Sequence, residues 1–425
     1  MTDLPGRITV LGLGRTGRAL VEALAGKARL FLSESRLLAP EEKAFLAAHD
    51  VPFEEGGHSP ACLAAELLVP SPGVPPHTPV LAEAARRGIP IWSEIELAWR
   101  LAAPAFTVAV TGTNGKSTTT ELVGAILAAW GLRPVVAGNI GRPAIGTVEE
   151  VRRRPWVLEV SSFQLLWTEG FRPQAAVWLN FAPDHLDYHP HLAHYFAAKA
   201  RIFRRQGRED VAVLGREILA FLAPKGRVRV IEEEELPAGW GEGVPEHVRF
   251  NLKAAWAACA ALVGRPPPPF AALEPALAQP HRLERVGVLR GIPFINDSKG
   301  TNAHATCAAL RAVPGPVVLI LGGRHKRGGY EALEPLLRQK VRACVLIGES
   351  QAFFAELLRA WGVPFVRAGD PLDALRRAYA LAQPGDTVLL SPACASFDQF
   401  RDYAHRGEAF KEAFRRLAAE GPAVP

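Results

Sequence analysis

The sequence predicts an α/β protein of three domains, each built on a parallel sheet with helices on its faces. Three observations carry this expectation. The chain has 425 residues, too many for one hydrophobic core, and 48% of them are apolar, enough to fill several. Short apolar, β-branched runs alternate with helical patterns along its whole length, as repeated βαβ units require. Polar loops punctuated by glycine or proline follow several of these runs, at the edge where open parallel sheets hold ligands.

The first block covers residues 1–92. Its opening strand, 8–11, leads into Gly12-Leu13-Gly14-Arg15-Thr16-Gly17 and a helix to about Leu24. A second strand, 28–32, ends near Glu34, and Ser71-Pro72-Gly73 follows a strand at 67–69. This is a Rossmann-like pattern. A G-x-G-x-x-G turn with a downstream acid admits a dinucleotide. It equally admits another nucleotide held by the same anion-binding turn, or none.

The second block, 93–280, contains the most informative segment: Val110-Thr111-Gly112-Thr113-Asn114-Gly115-Lys116-Ser117-Thr118-Thr119-Thr120. It follows an apolar strand, 106–110, and precedes a helical pattern at 121–130. Glycines between strand and helix let backbone N–H groups close around a phosphate, and the helix N-terminus adds its dipole. Lys116 brings a point charge to terminal phosphates and Ser117 a hydroxyl for Mg²⁺. The strict G-x-x-x-x-G-K-[ST] pattern fails, because Val110 stands at its first glycine. The domain therefore reads as a mononucleotide-binding, P-loop-type domain with a shortened loop. Strands at 156–160, 175–180 and 211–214 continue it, and Pro266 to Pro269 form a stiff loop near its end.

Glu159 closes one of those strands, where a carboxylate beside a phosphate loop can bind Mg²⁺. Asn180-Phe181-Ala182-Pro183-Asp184-His185-Leu186-Asp187-Tyr188-His189 gathers carboxylates and imidazoles. His185 and His189 are four apart, a zinc-like pair on a helix, but Pro183 and Pro190 leave little room for one. Mg²⁺ with phosphate oxygens fits better, through Asp184 or His185. His189, His191 and His194 read as surface or packing histidines. From the amphipathic pattern 195–202 alone, Lys199 reads as a surface lysine whose stem snorkels.

The third block, 281–425, is also Rossmann-like, with strands at 293–296, 317–322, 342–347 and 387–391. Three polar loops follow strands here: 296–302, 322–326 and 391–398. Together they make a second substrate site, or three ordinary βα loops.

Composition narrows the function classes. The net charge of +6 comes without a Lys/Arg-rich block interleaved with aromatics, so nucleic acid is not the expected partner and an anionic small substrate is. No apolar run is long enough for a membrane span, and the start lacks the features of a signal peptide, so a cytoplasmic protein is expected. The five cysteines have no metal spacing and read as small buried hydrophobes. Ten lysines stand against 39 arginines, so a lysine inside a Gly-, Ser- or His-rich segment is there for its own chemistry. Lys116, Lys199, Lys299 and Lys326 are such lysines.

Taken in order, these segments resemble the Mur ligase family of peptidoglycan synthesis, and its D-glutamate-adding branch most. The resemblance runs from Gly12 to the Ser-Pro-Ala-Cys-Ala-Ser segment at 391–396. Gly-Thr-Asn-Gly-Lys-Ser by itself would also fit folylpolyglutamate synthases. The resemblance implies one domain for a UDP-sugar, one for ATP and one for the incoming amino acid. It implies an ATP-dependent amide ligase joining D-glutamate to UDP-N-acetylmuramoyl-L-alanine through an acyl phosphate, acting as a monomer. Arg15, Thr16, Glu34, Ser35, Arg36, Ser71, Gly73 and Asn139 then fall at UDP-substrate contacts. Gly112, Thr113, Asn114, Gly115, Lys116, Ser117, Thr118, Asn251, His281, Arg282 and Asp297 fall at ATP contacts. Ser117, Glu159, His185 and Lys199, the last as a CO₂-derived carbamate, would hold two Mg²⁺ ions. Thr301, Lys299, Lys326, Ser396, Phe397 and Tyr403 fall at the D-glutamate pocket.

The chain departs from the family in places. The family's His-Asn-x-x-Asn stands here as Phe250-Asn251-Leu252-Lys253-Ala254, so one adenine contact should be missing. Glu34 replaces a common Asp. No Asn-Pro-Arg motif of diaminopimelate-adding members occurs. A different amide ligase of the same family, a non-enzymatic nucleotide-binding module and a dehydrogenase are the rival readings.

Overall fold

The structure, a computed structural model, describes residues 4–326 and 328–420. Sixteen strands form three sheets among the described residues. The first holds β1 (Arg7–Leu11), β2 (Arg29–Glu34), β3 (Phe53–Glu55) and β4 (Leu67–Pro70). All its pairs are parallel, in the order β3-β2-β1-β4. The second holds β5 (Phe106–Thr111), β6 (Val135–Gly138), β7 (Pro155–Glu159), β8 (Ala175–Trp178), β9 (Val211–Leu214) and β10 (Arg227–Val230). Its order is β10-β9-β8-β5-β7-β6. The third holds β11 (Glu284–Leu289), β12 (Ile292–Asn296), β13 (Val317–Gly322), β14 (Val341–Ile347), β15 (Phe365–Arg367) and β16 (Thr387–Leu390), in the order β11-β12-β16-β13-β14-β15.

The central strands are those with continuous apolar runs, because both faces of a helix-covered sheet are buried. In β13, Val317, Leu319 and Leu321 pack into one core layer and Val318 and Ile320 into the other. The first two sheets share one continuous core, from Ile8 and Val10 to Trp156 and Trp178. The edge strands β3, β6, β10, β11 and β15 were not legible as strands. They are short or half-exposed, and β10 (Arg-Val-Arg-Val) is exposed along most of its length. One pairing departs from the all-parallel expectation. β11 runs antiparallel to β12 with a bulge between Arg285 and Gly287, since Arg290-Gly291 allows a direct hairpin return.

Two compact units result. Residues 4–181, 188–244 and 248–276 form the first, and 182–187, 245–247, 277–326 and 328–420 the second. The first unit contains the first two sheets and the second contains the third. Residues 182–187, which the sequence places inside the middle block, group with the second unit because Asp184 bonds there to Asn302 and Lys326. No helix among the described residues is long and apolar enough to cross a membrane.

Candidate functional sites

In the first unit, β5 sits where the strand order of its sheet reverses, with β7 on one side and β8 on the other. Ligands of open α/β sheets collect at such a switch point, outside the strand C-termini. The loop after β5 is the Gly112–Ser117 segment. The helix Lys116–Ala129 starts at Lys116, five residues before the apolar pattern suggests. Gly115 caps it with φ +83°, a conformation costly for other residues. A Cβ there would stand 2.5 Å from Asn251 Oδ1. Asn251 thus lies directly over the loop, on the helix Glu246–Val263.

Neighbouring strands brace the loop. Asn180, just past β8, accepts the Asn114 N–H at 2.9 Å and returns its own amide to the Asn114 carbonyl at 3.2 Å. Thr113 Oγ1 lies 3.2 Å from the Tyr195 hydroxyl. Lys116 Nζ donates to the carbonyls of Gly112 and Thr113, both at 2.9 Å, so its charge is folded over the loop. Ser117 and Thr118 are buried in the helix's first turn.

Lys199 corrects one expectation. Its helix Leu192–Ala200 does not expose it: the side chain is 1% exposed. Nζ donates to the Gly112 carbonyl at 2.8 Å, lies 3.4 Å from Thr111 Oγ1 and stands 4.9 Å over the Tyr195 ring. A snorkelling lysine would carry its charge outward, and this one carries it to the Gly112–Ser117 loop.

Glu159, the last residue of β7, is buried. Its Oε1 accepts from Asn139 Nδ2 at 2.7 Å, and Oε2 has no partner. An orphaned, buried carboxylate oxygen at the strand beside a phosphate loop suits a hard cation with oxygen ligands. The donor set therefore fits Mg²⁺.

Around the first Gly-rich turn, Gly17 packs so closely that a Cβ would meet the Gly12 carbonyl at 2.1 Å. Glu34 is buried, and its Oε2 accepts the Leu13 N–H at 2.8 Å. It thereby holds the turn it follows. Ser71 is buried and donates to the Gly12 carbonyl at 2.8 Å. Arg15, Ser35, Arg36, Gly73 and Asn139 are exposed and Thr16 half-buried. Arg36 forks onto Glu42 with two bonds of 2.7 Å, and this pairing pulls the Glu42 carboxyl down to about 2.

A zinc-like His185/His189 pair does not form. Residues 183–191 contain no helix, and no metal-holding group of three or more such ligands occurs among the described residues. His189 is fully buried, 2.9 Å from Ser162 Oγ and 2.8 Å from His194 Nδ1. Burial, with the charges of His194 and Lys199, pulls it down to about 4, so it is neutral at pH 7. It is a packing histidine.

In the second unit, β12, β16 and β13 are adjacent, so the loops after them share one edge of the sheet. Asp297, just past β12, is buried. Burial pushes its carboxyl up to about 6, although Ser391 Oγ donates to Oδ2 at 2.8 Å and the Leu283 N–H to Oδ1 at 3.3 Å. His281 has φ +63° and rests 3.0 Å from Asn296 Nδ2. Arg282 and Thr301 are half-buried. Lys299 Nζ stands 5.7 Å over the Tyr403 ring. Ser396 is buried, while Phe397 is 63% exposed and Tyr403 begins the helix Tyr403–Ala419.

Lys326 and Asp184 form a feature that the sequence did not disclose. Lys326 Nζ donates to Asp184 Oδ1 at 2.7 Å, and Asn302 Nδ2 to Oδ2 at 3.0 Å. Oδ1 also accepts the N–H of His185, which has φ +56°. Burial opposes the Asp184 charge, but His185 and Lys326 outweigh it and hold its carboxyl far below the usual range. Lys326 therefore already has an anion, where the sequence offered it as a cation for substrate. Asn180, Tyr195 and Asn302 were also not singled out. Their only sequence signal is position, just after a strand or early in a helix.

A glycine-rich strand-to-helix loop at a sheet's switch point, with a buried lysine and an orphaned acid beside it, is the pattern of a nucleotide-binding enzyme of the α/β class. Residues 7–80 match the MurD N-terminal domain, 110–230 the Mur ligase middle domain and 281–394 the Mur ligase glutamate ligase domain. The chain belongs to the Mur ligase family. It is similar to the UDP-N-acetylmuramoylalanine–D-glutamate ligase of Desulfitobacterium hafniense, 38% identical over 96% of this chain and 97% of that protein. The Anaeromyxobacter dehalogenans protein of the same name is 40% identical, covering 97% of each. Among solved structures, the MurF ligase of Thermotoga maritima in complex with ADP shares the fold, with TM-score 0.58, 16% identity and coverage of 99% of this chain and 97% of that one. The Thermotoga maritima MurC ligase does so with TM-score 0.55 and 19% identity, over 96% and 99%.

Proposed function

We propose that this chain is the ATP-dependent ligase that joins D-glutamate to UDP-N-acetylmuramoyl-L-alanine in the cytoplasmic synthesis of peptidoglycan precursors. The observation that supports it best is the pairing of full-length similarity to D-glutamate ligases with the Gly112–Ser117 loop and its two lysines. A carboxylate is a poor electrophile. One of its oxygens attacks the γ-phosphorus of ATP, the bond to the β-phosphate bridge breaks, and ADP leaves. The product is an acyl phosphate. The amino-acid nitrogen then attacks the acyl carbon, loses a proton and expels phosphate.

Negative charge spreads over phosphoryl oxygens in the first step, and Lys116 at the helix N-terminus is placed to offset it. Mg²⁺ would supply further charge neutralisation at those oxygens, held by Glu159 and Ser117 in the first unit. Lys199 carries a primary amine close under the loop. As a carbamate it would become an anion able to help hold the metal, which arginine cannot do. Arg15, Thr16, Ser71 and Asn139 are proposed for the UDP-sugar, and Thr301, Ser396 and Tyr403 for D-glutamate. The domain limits 92 and 280 remain part of this reading.

The test is a panel of amino acids scored for ADP release with UDP-N-acetylmuramoyl-L-alanine as acceptor. D-Glutamate should stimulate release far above the others. Stimulation by L-lysine or diaminopimelate instead would overturn the substrate assignment, and no ATP turnover with any amino acid would overturn the enzyme reading.

A further inference from the structure

The four prolines at 266–269 lie against tryptophans of the first unit. Proline fixes φ and keeps the residue before it extended, so the run is a stiff polyproline II strap. Pro269, with φ −56° and ψ 138°, has that conformation. Proline has no N–H, so the strap presents carbonyls, and an indole N–H can only donate. The two match. Trp130 Nε1 donates to the Pro266 carbonyl at 2.8 Å, and Trp240 Nε1 to the Pro268 carbonyl at 3.1 Å. Arg265 Nη1 returns a bond to the Trp130 carbonyl at 2.6 Å. Trp130 ends the helix Lys116–Ala129, whose first turn carries Lys116 and Ser117. The strap therefore ties Trp240 to the helix that begins at the Gly112–Ser117 loop.

Trp256 meets both indoles. Its ring centroid stands 6.3 Å from that of Trp130 and 5.4 Å from that of Trp240, edge to face in each case. Trp256 belongs to the helix Glu246–Val263, which also carries Asn251. From 254 to 261 this helix reads Ala-Ala-Trp-Ala-Ala-Cys-Ala-Ala. Ala254, Ala255, Ala257 and Ala258 are buried, and methyl groups make shallow ridges, so that face resists sliding and rotation poorly. Trp256 is the one bulky side chain of the stretch, and it is the one held from outside. Asn251 lies five residues earlier, about 7.5 Å along the axis. Its Oδ1 stands 2.5 Å from where a Cβ of Gly115 would be. A slip of the helix by one residue, about 1.5 Å, would carry Asn251 off the loop.

We propose that Trp256, gripped by Trp130 and Trp240 on the polyproline strap, is a positioning residue of the nucleotide site: it fixes the register of its helix and thereby keeps Asn251 over the Gly112–Ser117 loop. The inference rests on the ATP-binding reading above and deepens it. Phe250 and Ala254 replace two polar residues of the family pattern, so Asn251 is the polar side chain left there, and its placement depends on an anchor elsewhere on the helix. The strap supplies that anchor already ordered, because proline has little conformational freedom to lose.

Two measurements on Trp256→Leu and Trp256→Phe test this, each variant being checked for folding by thermal melting. The first is ADP affinity by calorimetry, with steady-state KM values beside it. Trp256→Leu should weaken ADP binding and raise KM for ATP about threefold or more, with KM for the UDP-substrate and D-glutamate within about twofold. Trp256→Phe keeps an aromatic ring against both indoles and should recover most of the affinity. The second needs no nucleotide. A released helix lets Asn251 withdraw from a methyl at position 115. Gly115→Ala should therefore lower the melting temperature by at least about 2 °C less in Trp256→Leu than in wild type. Unchanged ADP affinity in folded Trp256→Leu overturns the proposal, even if the variant melts lower, since the tryptophan would then serve stability alone. An equal loss for Gly115→Ala in both backgrounds also overturns it. If Trp256→Leu does not fold, Trp130→Leu, which removes one side of the grip at a half-buried position, decides by the same two measurements. If wild type binds no ADP, the nucleotide reading has failed, and the melting comparison alone shows whether Trp256 holds Asn251 against Gly115.

Discussion

Replacing Gly115 by alanine probes how the phosphate loop is held. Gly115 has φ +83°, where a residue with a Cβ loses about 1–2 kcal/mol. The new methyl would also stand 2.5 Å from Asn251 Oδ1 and 3.1 Å from Leu179 Cδ1. Asn251 is buried on a helix, so it must leave its rotamer, at about 0.5–1.5 kcal/mol. The two contributions together give roughly 1.5–3.5 kcal/mol, and at about 2–4 °C per kcal/mol the melting temperature should fall by roughly 3–14 °C. They are separable, because only the second involves Asn251. In an Asn251→Ala background the clash is gone, so Gly115→Ala should cost about 1 kcal/mol less there than in wild type. Thermal melting of the four proteins of this cycle, with and without ADP, is the assay. Equal cost in both backgrounds would refute the account of Asn251 as the residue lying over the loop. Weaker stabilisation by ADP in Gly115→Ala alone is the functional counterpart expected.

Four further outcomes are expected. Lys116→Ala should abolish ATP turnover yet melt within a few degrees of wild type, since its bonds go to loop carbonyls and not into a core; normal activity would remove it from the phosphate site. Lys199→Arg should be inactive, whereas Lys199→Ala should recover part of its turnover in high acetate, and full activity of the arginine variant would refute a carbamate there. Glu94 is buried with its Oε2 unpartnered, and burial pushes its carboxyl up to about 7. A raised acid stabilises the fold below the unfolded value near 4.5 and loses that contribution as pH rises through about 7, so Glu94→Gln should remove roughly 3 kcal/mol of downward slope across that window in denaturation measured against pH. Asp184→Asn and Lys326→Met should each destabilise by about 3 kcal/mol, and the double variant by less than their sum, because each single change strands a buried partner; strict additivity in chemical denaturation would show the pair to be uncoupled.

The central strands were legible because burial on both faces forces continuous apolar runs, as in β5, β13 and β16. The edges were not, because β10 and β11 are stabilised by pairing with a neighbour and carry no such run. The phosphate loop was legible from Gly112 to Ser117, since its glycines have a local backbone reason. Lys199 was misread from its helix alone. A helical pattern reports which residues face inward, and a lysine facing inward is indistinguishable from a snorkelling one until its partner, the Gly112 carbonyl, is known to lie 87 residues away. The Asp184–Lys326 pair, 142 residues apart, was hidden for the same reason: nothing local demands it.

All five cysteines are unpaired and buried, and burial raises every thiol, Cys62 and Cys394 to about 11 and Cys344 to about 12. At neutral pH almost none is thiolate, which is the form that reacts. Alkylating probes and dissolved oxygen therefore find the native protein nearly inert. A single cysteine placed on the surface would outcompete the natural five in labelling, so a dye or spin pair could be attached to either unit without first stripping the chain of its own sulfur.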